Sequence, residues 1–259
     1  MKRGLYPFRA FAKRGLSPFH DQRVDIPPAG AYFIAMPRAP RASVGGVVYH
    51  VLNRANNRAT IFEASDDYRA FEQVLLEARD RQHMRILSYC VMPNHWHMVL
   101  WPRQDGDLSD FMGRLTTTHV RRWSAFRKRD GTGHLYQGRF KSFPVQEDGH
   151  FIIVCRYVER NPLRASLVAR AEDWQWSSLW RRVRGDAQAK SLLSDWPLPL
   201  PSNWVERVNE PLTRAELDAV RKCVARGNPY GTEDWRQKAA ARMGIEFTLR
   251  SRGRPKTES

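Results

Sequence analysis

The chain has little cysteine, a deficit of acidic residues and no long apolar run. Its three cysteines, Cys90, Cys155 and Cys223, are scattered among 259 residues and odd in number. None stands in a C-x-x-C pair, which argues against a disulfide framework or a zinc knuckle and for a reducing, cytosolic setting. No stretch approaches the roughly 20 apolar residues that a spanning helix needs. The first residues, "MKRGLYPFRAFAKRGLSPFH", lack the continuous apolar segment and small-residue cleavage site of a signal peptide. No internal repeat is visible. Asp and Glu number 27 against 43 Lys and Arg, leaving a formal charge of +16. That excess is silent about fold but favours polyanionic partners, nucleic acid ahead of an anionic membrane.

Composition divides the chain into three parts. Residues 1–35 are basic and aromatic without periodicity, and are expected to be a disordered extension or an over-long start ahead of Met36. Residues 36–190 should form the core domain, and residues 196–259 a small helical, DNA-binding appendage ending in the basic tail "LRSRGRPKTES". Within the core, "VVYHVLNR" (47–54) alternates as a first strand after Gly45-Gly46. Ser65 is expected to cap a helix whose stripe is Tyr68, Phe71, Val74, Leu75 and Ala78. "MRILSYCVM" (84–92), the turn Pro93-Asn94 and "HWHMVLW" read as an antiparallel hairpin. A second helix should start at Asp107 or Ser109 and send Phe111, Leu115, Trp123 and Phe126 to the core. "HLYQGRFKSFPV" (134–145) reads as a fourth strand and "EDGHFIIVCRYVERN" as a third helix. This order predicts an α+β fold with a mainly antiparallel sheet backed by helices. Further on, "SDWPLPLPSNW" interrupts regular structure, Thr213 to Glu216 forms a capping box closed by Gly227, and a last helix spans 233–243.

The chemistry concentrates in two short stretches. In "PNHWH", strand alternation sends His95 and His97 to one face and Trp96 to the other, giving half of a metal site. In "RYVERNP", Tyr157 and Asn161 stand four apart and can share a helix face. Two imidazoles and an amide oxygen would leave positions on Mg²⁺ or Mn²⁺ for phosphate oxygens and water. A tyrosine beside such an ion could attack phosphorus once its proton is taken. The plain alternatives remain open: Tyr157 as a core tyrosine, and Asn161 as a helix stop before Pro162.

The ordered set "YHVLNRANNR", "VMPNHWHMVLW", "GRFKSFPV", "RYVERNPLRASLV" and "WQWSS" resembles the single-tyrosine HUH transposases, named for a His-hydrophobic-His strand. Within them it is most similar to the REP-associated tyrosine transposases, strongly over 36–182, with a similar "GRPK" ending. The resemblance implies a ferredoxin- or RRM-like antiparallel sheet with both histidines on a central strand. It also implies Tyr157 as nucleophile, and His95, His97 and Asn161 as metal ligands. Relatives outside that branch tend to carry Gln at the place of Asn161.

The implied activity is sequence- and structure-specific binding of single-stranded DNA hairpins, with metal-assisted cleavage and rejoining through a 5′-phosphotyrosine. Two alternatives stay open: a non-catalytic hairpin-binding regulator, and a metal-dependent phosphodiesterase that uses water. DNA contacts are expected from Arg54, Arg58, Arg121, Arg122, Arg139, Lys141, Arg250, Arg252 and Arg254, with binding that weakens as salt rises. The expected cofactor is Mg²⁺ or Mn²⁺, with no small-molecule cofactor and no membrane partner. The expected setting is the bacterial cytoplasm at the nucleoid, and the expected state a monomer, with a dimer as the alternative.

Overall fold

Four strands and nine α-helices follow from the sequence patterns in the described residues of a computed structural model, 43–128 and 133–250. The expectations for residues 1–35, for Met36, and for Arg252, Arg254 and the "GRPK" ending lie outside them. The strands are β1 (Val48–Arg54), β2 (Arg85–Met92), β3 (His95–Trp101) and β4 (Lys141–Val145). They pair antiparallel throughout, in the order β2-β3-β1-β4. With α1 (Ser65–Gln82) after β1 and α2 (Asp107–Arg127) after β3, the β-α-β-β-α-β order is the ferredoxin-like arrangement.

One sheet face is covered by α1 and α2. Tyr49 and Val51 of β1, and Trp96, Met98 and Leu100 of β3, meet Phe71 and Leu75 of α1 and Leu108, Phe111 and Leu115 of α2. The α1 start departs from expectation. Ala64 is the N-cap and Ser65 the first helical residue, and the Asp67 carboxylate accepts from the backbone N–H groups of Glu63 and Ala64. Asp66 and Asp67 at this end and Arg79 and Arg81 at the other also suit the helix dipole. Helix α2 begins at Asp107, behind Gly106 at φ 91°, a backbone region that favours glycine. Its far end differs from the sequence reading, because Phe126 is 75 % exposed rather than in the core.

The other face carries α3 (Gly149–Glu159) and the short α4 (Asn161–Arg164). Val48, Cys90, Val99, Phe143 and Val145 of the sheet pack here against Phe151, Val154, Cys155 and Val158 of α3. The fourth strand is shorter than expected. Residues 134–140 pair with the end of β1 only locally, through a bridge between Ala55 and Tyr136, so Arg139 sits in a loop and Lys141 opens the strand.

After α5 (Ser178–Arg184) and α6 (Ala187–Lys190), the later helices α7 (Trp204–Asn209), α8 (Arg214–Arg226) and α9 (Glu233–Met243) finish the molecule. Residues of α7 and α8 share the second core with the sheet, through Trp204, Val208, Val220 and Cys223. The α8 capping box between Thr213 and Glu216, and the left-handed Gly227 that ends the helix, stand where the sequence puts them. Later segments also close both sheet edges, which would otherwise offer unpaired N–H and C=O groups. Val91 N–H donates to Trp176 O on the β2 edge, and Tyr230 N–H donates to Pro144 O on the β4 edge.

Candidate active site

Pairing register decides what surrounds the two histidines. Arg54 lies opposite His95, Leu52 opposite His97, and His50 opposite Val99. Directly opposed residues share a face, so His50, Leu52, Arg54, His95 and His97 all point toward α3. His97 is 3 % exposed and His50 fully buried. His50 Nε2 lies 3.0 Å from His97 Nδ1, and the His95 and His97 rings are 5.1 Å apart, centroid to centroid.

Helix α3 brings Tyr157 onto this face. Its ring stands edge-on to His97 at 5.7 Å and to His50 at 6.1 Å between centroids. Arg156 and Arg160 of the same helix region donate to the carbonyls of Arg207 and Val208 in α7. The fully buried Glu159 carboxylate accepts from Ser88 at 3.1 Å, Ser178 at 2.5 Å and Trp204 Nε1 at 2.7 Å, and pairs with Arg182. These bonds anchor the turn after Tyr157 to β2, α5 and α7 at once.

The break between α3 and α4 shapes the rest. Arg160 keeps helical dihedrals and Asn161 begins a new turn with Pro162, whose missing N–H is harmless at a helix start. Asn161 is buried. Its Oδ1 accepts from Arg164 at 2.5 Å, while its Nδ2 has no partner among the described residues. The Arg164 guanidinium in turn lies 4.9 Å from the Tyr157 ring centre.

Burial chiefly, then the nearby Arg54 and Arg164 charges, hold His95 down at about 4. His97 is depressed further, by burial first and then by His50, His95, Arg164 and Arg54. Both imidazoles therefore stay neutral at pH 7, each with one ring nitrogen free of hydrogen. Two neutral imidazoles on one face are donors that a divalent ion accepts, while the Asn161 amide oxygen is engaged by Arg164. No group of three or more His, Cys, Asp or Glu able to hold a metal occurs among the described residues. His50 Nδ1, Arg54 Nε and Asn161 Nδ2 are buried without partners among those residues, leaving polar atoms here unmatched.

The proposed DNA-binding residues divide by face. Arg54, Arg139 and Lys141 line one groove of about 310 Å³, together with Gln137, Gly138 and Val224 of α8. Its wall is built by Gln137 N–H donating to Arg54 O and Asn53 Nδ2 to Gly138 O. Arg58 is exposed on the turn after β1. Arg121 and Arg122 belong to α2, behind the opposite face of the sheet, and Arg122 is paired with Glu77. Arg127 is likewise tied to Glu63 and Asp67 of the α1 start. Arg250 is exposed, at the end of the described residues.

Three residues escape the sequence reading. His50 falls on the right alternation of β1, but only the β1–β3 register brings it to His97. Asn94, apparently a turn residue, bonds His95 Nδ1 through its Oδ1 at 2.6 Å and donates from Nδ2 to Arg58 O. Arg164 needs the α3–α4 bend to reach Tyr157.

The fold and site define a class: an antiparallel α+β domain with a His-hydrophobic-His strand facing a helical tyrosine. Residues 43–161 match the family model described as "Transposase IS200 like". Over that stretch, a little under half of its length, the chain is similar to the IS200-like transposases. No curated protein matches it in sequence. Among solved structures, a REP-associated tyrosine transposase bound to a REP hairpin is similar at 18% identity and a TM-score of 0.48, over 69% of this chain and 99% of that one. A protein of Deinococcus radiodurans R1 named as a candidate transposase is similar at 18% identity and a TM-score of 0.35, over 51% of this chain and 92% of that one.

Proposed function

We propose that this chain cuts and rejoins single-stranded DNA with Tyr157 as nucleophile, as a REP-associated tyrosine transposase acting on hairpins of the repetitive palindromic type. The observation that carries the reading is the Tyr157 ring standing 5.7 Å from His97, with His95 on the same face. The hairpin substrate rests on the ordered sequence motifs.

Tyr157 Oη attacks a backbone phosphorus. The Oη–P bond forms as the P–O3′ bond breaks, the electron pair leaves on O3′, and a proton equivalent to the one lost by the phenol completes the 3′-OH. The product is a 5′-phosphotyrosine. A later 3′-OH reverses the exchange on another strand, so the phosphodiester is conserved and no nucleotide triphosphate is spent. A divalent ion held by His95, His97 and Asn161 would polarise the scissile phosphate and stabilise charge developing on its oxygens. Arg164, beside Tyr157, and Arg54, beside His95, are placed to neutralise phosphate charge. Arg139 and Lys141 extend that positive wall along the groove.

Because α3 is anchored by α7 of the same chain, Tyr157 serves its own histidines and the monomer is the active unit. Light scattering should give a monomer mass for active protein; an obligate dimer would contradict this. A DNA substrate places the protein at the nucleoid.

End-labelled hairpins incubated with Mg²⁺ or Mn²⁺ and run on a denaturing gel test the reaction. We expect cleavage with label from the 5′-phosphate side shifted onto protein, and neither product with EDTA. Cleavage without a shifted band would assign hydrolysis by water. Tight hairpin binding without cleavage on any substrate would assign a regulator.

A further inference from the structure

Each histidine of the His-Trp-His strand has one ring nitrogen already engaged. At His95 the partners settle which nitrogen bears hydrogen. The Arg58 carbonyl can only accept, so Asn94 presents Nδ2 to it and Oδ1 to His95. Oδ1 can only accept, so His95 carries hydrogen on Nδ1 and leaves Nε2 bare.

At His97 the partner is another imidazole. One hydrogen lies between His97 Nδ1 and His50 Nε2, 3.0 Å apart, and it can belong to either ring. If His50 donates, a neutral His97 carries its own hydrogen on Nε2, and both its nitrogens are lost to a cation. If His50 accepts, His97 Nε2 is bare, matching His95.

We infer that His50 is a positioning residue which accepts the His97 Nδ1–H bond and so presents the His97 Nε2 lone pair to a divalent cation. The inference rests on reading His95 and His97 as metal ligands. His50 is fully buried on a central strand, with its ring 4.8 Å from Phe143 and 6.1 Å from Tyr157. The accepting form leaves a buried N–H at Nδ1 without a partner among the described residues. A phenylalanine would fill this apolar surround without that cost, so the imidazole is explained by the bond that it makes. Hydrogen bonds from the second nitrogen of a metal-ligating histidine commonly fix its tautomer in this way.

The test uses the full chain, metal-free and then titrated with Mn²⁺. Histidine ¹⁵N spectra of the metal-free wild type should show His97 protonated on Nδ1, as at His95. His50→Phe, which keeps a ring but no acceptor, should lose that preference and bind Mn²⁺ about 10–100-fold more weakly. His50→Gln, whose carboxamide oxygen reaches the place of Nε2, should recover most of the affinity. A wild-type His97 protonated on Nε2 overturns the inference without need of any variant. Unchanged Mn²⁺ affinity in folded His50→Phe overturns it as well, while equal loss in both variants would make His50 a ligand instead. A wild type that binds no Mn²⁺ overturns the underlying metal reading, an outcome distinct from these.

Discussion

The two faces of one sheet, and the two sides of one strand, differ in how completely their polar atoms are matched. Trp96, Met98 and Leu100 of β3 enter the core under α1 and α2. There Trp96 Nε1 donates to the Tyr136 hydroxyl at 3.0 Å, and that hydroxyl bonds His119 Nδ1 at 2.7 Å. On the opposite side, His95 and His97 meet α3 across a region where His50 Nδ1, Arg54 Nε and Asn161 Nδ2 lack partners among the described residues. Buried polar groups without partners are costly in a folding core; three such atoms gather around the two histidines, whereas on the α1–α2 side Arg127 Nε is left unmatched beside its ion pairs with Glu63 and Asp67.

The sharpest break between the faces is Tyr157→Phe. It removes one oxygen from a packed ring and should abolish strand cleavage while leaving the thermal unfolding profile nearly unchanged. Glu159→Ala works through the frame behind the site. It strands the Arg182 charge and removes the acceptor for Ser88, Ser178 and Trp204, so chemical denaturation should show a loss of about 3–5 kcal/mol.

His119 probes the fold side alone. Burial holds it at about 4, below an unfolded value of 6.5. Its contribution is thus fully present above pH 6.5 and lost as pH falls through about 4, amounting to about 3 kcal/mol. Unfolding measured from pH 7 to 4 should lose a corresponding part of its acid slope in His119→Gln. Trp96→Phe removes the bond to Tyr136 and some buried bulk from the core under α1 and α2, which should cost at least about 1 kcal/mol in the same assay.

The smallest effect compares arginines. Arg139→Ala, in the groove, should reduce the dependence of log affinity on log salt by about 1. Arg122→Ala, paired with Glu77 behind the other face, should leave that dependence unchanged. Equal effects from the two would erase the division between the faces.

How much the sequence reveals depends on the range of the interaction. Strand β3 and helix α9 are legible over their whole lengths because alternation in "HWHMVLW" and helical spacing with a following glycine are local signals. Alternation also suffices to put His95 and His97 on one face. His50 is not legible as their neighbour, since shifting β1 by one residue against β3 would send it to the other face. The overlong fourth strand has a related cause: "HLYQGRF" has strand-like composition, but its backbone meets β1 at one bridge before turning away. The spacing of Tyr157 and Asn161 is legible, whereas the Arg164 contact with each depends on the bend at Arg160–Asn161. Phe126 reads as core because it continues a helical stripe, but it faces solvent while Arg127 beside it still pairs with Glu63 and Asp67.

The central claim is that Tyr157 exchanges bonds with a DNA phosphate. Its most direct test is mass spectrometry of a proteolytic digest after incubating the chain with a hairpin oligonucleotide and Mn²⁺. The account predicts a 5′-phosphonucleotide adduct on the peptide containing Tyr157, absent from Tyr157→Phe and from the EDTA control. Hairpin cleaved to completion with that peptide unmodified at every time point, or an equal adduct on another tyrosine, would contradict it.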